Sequence, residues 1–154
     1  MKLYADTSWW LGYKCRRDKH HPAALSLFDR APEAEVFWTP WQRVEVLNSF
    51  CQAERAGFLD RGESRRLIRL LEQEVRIGYW PHIEFDWTEA VRTAGELRAE
   101  HSLSMVIRSM DLFHVAIAIE VGADALLSFD TEQIALAKAA GLAVLHLVEK
   151  SGRG

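Results

Sequence analysis

Four acidic side chains, Asp6, Glu45, Asp111 and Asp130, occupy positions where a carboxylate stands out from its neighbours. Asp6 ends the apolar run LYA and Asp130 follows LLSF, so LYADT and LSFDT both close a strand-like run with Asp-Thr. In a parallel sheet that pattern brings both aspartates to one edge. Asp111 opens SMDLFHVAIAIE, an otherwise almost wholly apolar stretch that reads as the buried helix leading into the second of those strands. Glu45 lies in the second turn of a helix whose start is written as Thr39 N-cap, Pro40 at N1 and Gln42 at N3. Carboxylates gathered at one point repel: a pair 4 Å apart costs roughly 4 kcal/mol at an effective dielectric near 20. A divalent cation removes that penalty, and an all-oxygen set without His or Cys ligands suits Mg²⁺ or Mn²⁺ better than zinc. Such ions polarise a phosphodiester and activate water, which points to phosphodiester hydrolysis.

Each acid also has a plain structural reading. Asp130 with Gln133 forms an N-cap box, and Asp111 at N2 after Ser109 suits a helix dipole, each interaction worth about 0.3 to 2 kcal/mol. Glu45 alone reads as a solvated or locally bonded glutamate. Capping explains each acid separately, but not why they gather at one sheet edge.

The elements that must position them follow from the apolar pattern. Runs at 3–5, 36–38, 125–127 and 143–148 read as strands. Helical patterns cover about 20–30, 40–56, 60–77, 87–101, 110–121 and 131–140, with Gly57, Gly122 and Gly141 just past three of them. The alternation predicts a three-layer α/β/α sandwich with a mostly parallel central sheet and ligands outside the carboxyl ends of the strands. With 154 residues, 49% of them hydrophobic, the chain suits one domain over 1–150, and SGRG at 151–154 reads as a frayed tail. A net charge of −3 excludes a strongly basic nucleic-acid coat but says nothing about charge clustered at a site. Cys15 and Cys51 show neither zinc spacing nor a disulfide framework. The acid at position 6 precludes a signal-peptide core and no apolar run approaches a membrane span, so the expectation is a cytoplasmic protein without a membrane partner.

Lys14, Arg16, Arg17, Lys19, His20 and His21 follow Trp9, Trp10 and Tyr13, offering cations for phosphates beside rings that stack on bases. Lys14, Arg16 and Arg17 are therefore candidate RNA contacts, although the tryptophans equally suit a core. Arg108 either reaches a scissile phosphate or pairs with an acid. His114 reads as a core histidine bonded to a neighbouring backbone group or carboxylate rather than a general base, since metal-activated water needs none. Trp38, Trp41, Trp80 and Trp87 read as core or partner interface, and residues 66–78 as an amphipathic helix whose apolar stripe serves the core first and a partner-binding groove second.

The segments YADTS, TPWQRVEVLN, MDLFHVAIAIEVGA and LLSFDTE, in this order, resemble the PIN-domain ribonucleases, most closely the VapC toxins of toxin-antitoxin pairs. The resemblance runs nearly end to end. It implies a metal-dependent endoribonuclease in which Asp6, Glu45, Asp111 and Asp130 hold Mg²⁺ or Mn²⁺ and Ser8 and Ser128 hydrogen-bond around that site. It further implies a tRNA or rRNA substrate, a homodimer, and a VapB-like antitoxin whose C-terminal segment enters the groove, often with an arginine. Two rival readings stand beside it. An aspartate-based phosphatase or phosphotransfer domain is disfavoured because the first strand end lacks a DxD pair and no lysine ends LAVLHLV. A catalytically silent module that binds RNA or protein is disfavoured by the intact acids.

Overall fold

The computed structural model describes residues 1–145 and 147, so the expected tail at 151–154 and the far end of the expected last strand lie outside the described residues. Eleven elements follow in order: β1 (Lys2–Ala5), α1 (Thr7–Lys14), α2 (His21–Arg30), β2 (Glu35–Phe37), α3 (Pro40–Arg55), α4 (Glu63–Arg76), α5 (Trp87–His101), α6 (Ser109–Glu120), β3 (Ala125–Leu127), α7 (Thr131–Ala139) and β4 (Ala143–Val144). The strands form one parallel four-stranded sheet in the order β2-β1-β3-β4. Beyond β2, Trp38 bridges in parallel to His82, with the Trp38 amide donating to Pro81 and the Ile83 amide donating back to Trp38. This short segment covers part of the exposed sheet edge.

The two-residue period of a strand divides the core between the two faces of the sheet. Leu3, Ala5, Ala125 and Leu127 pack in one cluster with residues of α1 to α4, while Tyr4 and Leu126 pack in the other with α5, α6 and α7. The result is the expected α/β/α sandwich, with its helices divided by sequence: the four before residue 77 on one face and the three after it on the other. Helix α6 is buried along most of its length, from Leu112 to Ala118 apart from Phe113, which explains its near-uniform apolar sequence. Gly122 follows it at φ +64, the left-handed conformation that lets the chain turn straight back into β3.

Helix α1 is the element that periodicity does not reveal. Its eight residues contain adjacent tryptophans and a glycine, and both Trp9 and Trp10 are fully buried. Gly12 has a specific role: a Cβ there would lie 3.1 Å from the Phe129 ring and 3.3 Å from the His20 Cβ, so the bare backbone lets α1 seat closely. Trp10 packs edge-on against Trp9, Trp38 and Trp80, with ring centroids 5.1, 5.1 and 5.0 Å away. These tryptophans are therefore core, where edge-to-face pairs add about 0.5 to 1.5 kcal/mol beyond area burial. Trp10→Ala removes the ring that touches the other three and is expected to cost about 3 to 5 kcal/mol. Urea unfolding checks this, and a loss under 1 kcal/mol would show that the cluster is not a stabilising unit.

Candidate active site

Asp6 follows β1 directly and caps α1. Its Oδ1 accepts from the Trp9 amide (3.1 Å) and the Ser8 hydroxyl (2.6 Å), and its Oδ2 from the Ser128 hydroxyl (2.6 Å). The Ser8 and Ser128 oxygens in turn accept from the Phe129 and Asp130 amides, 2.9 and 3.0 Å away. Asp130 caps α7 through Oδ1, which accepts from Glu132 and Gln133, leaving Oδ2 directed elsewhere. Asp111 stands at N3 of α6 rather than N2, because the N-cap is Arg108, whose amide donates to Asp111 Oδ2 at 3.1 Å. The positive N-terminal ends of three helices thus meet where the acids do.

Glu45 reaches the same place from α3, which is docked by the expected capping box. The Thr39 amide donates to Gln42 Oε1, and the Gln42 side chain donates to the Ala5 carbonyl at the end of β1. Asp6, Ser8, Glu45, Arg108, Asp111 and Asp130 line a cleft of about 340 Å³ with Thr7, Ser109, Met110, His114 and Gln133. The structure therefore brings all four expected acids to one cleft at the carboxyl edge of the sheet, as open α/β sheets dictate.

Burial pushes the Asp6 carboxyl above its ordinary value, against the opposing charge of His114 and the bonds from Ser128, Ser8 and Trp9. Glu45 behaves differently. Burial raises it, but contact with the His114 ring and its charge, aided by Thr7 and Trp41, outweighs that effect and holds it below the ordinary value. His114 Nε2 lies 2.5 Å from Glu45 Oε2, and its Nδ1 is 2.9 Å from the Tyr4 hydroxyl. The ring is buried between a carboxylate and a phenol, so its site is structural support for Glu45 rather than a free base in the cleft.

Arg108 closes the other side. Its Nε is 3.1 Å from Asp111 Oδ2 and its Nη2 is 2.5 Å from Asp130 Oδ2. The other expected cations lie elsewhere. Lys14 is corrected from a candidate RNA contact to a buried ion pair: its side chain is 7% exposed, its Nζ is 2.5 Å from Glu74, and Trp80 donates to the same carboxylate. Arg17 is exposed but pairs with Asp60 at 2.9 Å, and Arg16 lines a separate groove with Tyr13, His21 and Arg66. None of these three lines the acidic cleft. Sequence reasoning missed Thr7, Ser109, Met110 and Gln133 as cleft residues. All four sit within three positions of a candidate acid, and that spacing was the available signal.

An α/β/α domain with an acid-lined cleft at the carboxyl edge of a parallel sheet is the class that fold and site define. The family model of the PIN domain matches residues 3–145, and the chain belongs to the PIN-domain family. Similar solved structures include VapBC2 from Rickettsia felis bound to a promoter DNA fragment (14% identity, TM-score 0.67, covering 94% of this chain and 98% of that one). The sarcin-ricin loop cleaving toxin VapC20 of Mycobacterium tuberculosis aligns at 17% identity and TM-score 0.65, with the same coverage. FitAcB from Neisseria gonorrhoeae aligns at 12% and 0.62, covering 94% and 96%. At these identities the likeness is one of fold. No curated protein sequence gives a significant match.

Because Glu45 sits below its ordinary value in the folded protein, its contact with His114 stabilises above an unfolded glutamate pKa of about 4.3 and is lost as pH falls through the folded value. Glu45→Gln is expected to cost about 1 to 2 kcal/mol at pH 7, the carboxylate being partly exposed. That cost is expected to shrink as urea unfolding is repeated at pH values below about 4.3. A cost that grows towards acid would contradict the assignment.

Proposed function

We propose that this protein is a metal-dependent endoribonuclease of the VapC toxin type, cutting RNA phosphodiester bonds, with tRNA or rRNA as the substrate class. The observation that carries this reading is the convergence of Asp6, Glu45, Asp111 and Asp130 on one cleft into which three helix N-termini also open. Membership of the PIN-domain family supports it, as does the fold shared with an RNA-cleaving toxin. The donor set fits Mg²⁺ or Mn²⁺ in its chemistry, being four carboxylates oriented by neighbouring hydroxyl, amide, guanidinium and imidazole groups. Among the described residues, no three ligating side chains are grouped closely enough to grip one ion in this arrangement. Asp6, Glu45, Asp111 and Asp130 would hold the ion, which when bound supplies Lewis-acid polarisation of the phosphate and a more acidic water.

The chain's own residues do the rest. Ser8 and Ser128 fix the orientation of Asp6, and His114 fixes Glu45. The helix N-termini favour a bound anion such as phosphate, and Arg108 offers a planar fork at the rim that matches phosphate geometry. An aspartyl nucleophile of the phosphatase kind is disfavoured, since Ser8 stands where that chemistry places a second aspartate two residues after the first. A VapB-like antitoxin as inhibitory partner, a homodimer and a cytoplasmic location complete the proposal. No helix among the described residues is long and apolar enough to cross a membrane.

The test is cleavage of a tRNA and rRNA pool by the purified, antitoxin-free protein with Mn²⁺ or Mg²⁺ against EDTA. Asp111→Asn is expected to fold normally and to lower cleavage by more than about 100-fold, since even a supporting group around a metal commonly accounts for 10- to 100-fold. A variant that cuts at the parent rate would overturn the assignment of Asp111. Metal binding without any cleavage would favour the silent binding module.

A further inference from the structure

Arg108 is the only arginine or lysine among the described residues lining the acidic cleft, and it is placed between two carboxylates that belong to different helices. Its Nε and Nη2 contact Asp111, at 3.1 Å to Oδ2 and 3.4 Å to Oδ1, and Nη2 also contacts Asp130 Oδ2 at 2.5 Å. Helix α6 brings Asp111 and the cap of α7 brings Asp130, so the guanidinium links the two elements across the mouth of the site. These acids would otherwise face each other with like charge. One positive charge placed between them removes that repulsion without any ion.

We propose that Arg108 is a positioning residue that holds Asp111 and Asp130 in place of a divalent cation and is displaced from them when the cation binds. The inference rests on the metal-dependent reading above. Three features of the geometry carry it. The Arg108 side chain is 63% exposed, so it leaves the acids for solvent without uncovering a core. The guanidinium end of both pairs is exposed and screened by solvent, so a doubly charged ion can compete for the same oxygens. The backbone amide of Arg108 also donates to Asp111 Oδ2, and this bond stays when the side chain departs, so Asp111 keeps its place at the helix start. Once released, the guanidinium remains tethered at the rim, where its fork is available to an incoming phosphate.

The proposal separates from simple electrostatics and from the metal reading itself in two measurements on the full chain. Metal-free protein is titrated with Mg²⁺ while the arginine Nε–H signals are followed by ¹⁵N NMR, the Arg108 signal being assigned by its disappearance in Arg108→Lys. The Arg108 signal is expected to shift with saturation, while that of Arg92, which pairs with Glu89 and Glu96 on α5, stays still. Calorimetry with Mn²⁺ then compares the parent with Arg108→Ala and with Arg17→Ala, which removes equal charge outside the cleft. Arg108→Ala is expected to bind Mn²⁺ about three- to tenfold more tightly and Arg17→Ala no differently. An unmoved Arg108 signal at saturating Mg²⁺ overturns the proposal, as does an Arg108→Ala affinity equal to or weaker than the parent's. Should Arg108→Ala not fold, the NMR titration of the parent decides alone. Absence of ion binding in folded parent protein overturns the metal reading, and this inference with it.

Discussion

The bond between the Ser128 hydroxyl and Asp6 Oδ2, 2.6 Å long, ties together the carboxyl ends of β1 and β3, the two central strands of the sheet. The Asp6 amide donates to the Leu127 carbonyl at the same point, so backbone and side chain lock one register. A carboxylate this deeply buried is disfavoured in its charged form, and the three donors around it offset that cost only in part. The rest of the cleft depends on this arrangement. Ser8 and Ser128 cannot orient Asp6 without fixing the turns that carry Phe129 and Asp130, since the same hydroxyls accept from those amides.

Capping and site-building turn out to be the same act here. Asp6 and Asp130 each spend one oxygen on the amides of a helix start, and Asp111 accepts the amide of its own N-cap residue. The helices begin where the acids are, so their dipoles partly balance the negative charge and point the same positive ends at whatever anion enters. An arginine at the rim takes up charge that is left uncompensated, and a buried histidine ring contacts the remaining acid. His114 tethers Glu45 to the Tyr4 hydroxyl, and Tyr4 belongs to β1, so even the acid that α3 delivers is referenced to a central strand.

The two helical layers contribute unequally. The layer of α1 to α4 is anchored by tryptophans packed edge to face and by a buried Lys14–Glu74 pair that also takes the Trp80 indole. That pair shows how an amphipathic cation enters a core: the stem packs among rings and the ammonium finds its partner below the surface. The opposite layer is built on α6, which presents Asp111 and His114 on one side and an unbroken apolar surface on the other.

Local chemistry made most of the frame legible in the amino-acid order. Strand ends marked by Asp-Thr, the Thr39–Gln42 box and the apolar run of α6 each follow from propensities that act within a few residues. Helix α1 was hidden because its tryptophans are buried by partners distant in sequence, and a short helix containing glycine carries no periodic stripe. Lys14 looked like a solvent-facing cation for a related reason: nothing near it in the chain announces Glu74, sixty residues away. That Asp6 and Asp130 converge followed from the parallel sense of the strands, which the alternation of elements implies. How their charges are balanced did not follow. Arg108 against Asp130 and His114 against Glu45 are contacts between separate helices, and only the packing of those helices on a common sheet decides which charge meets which.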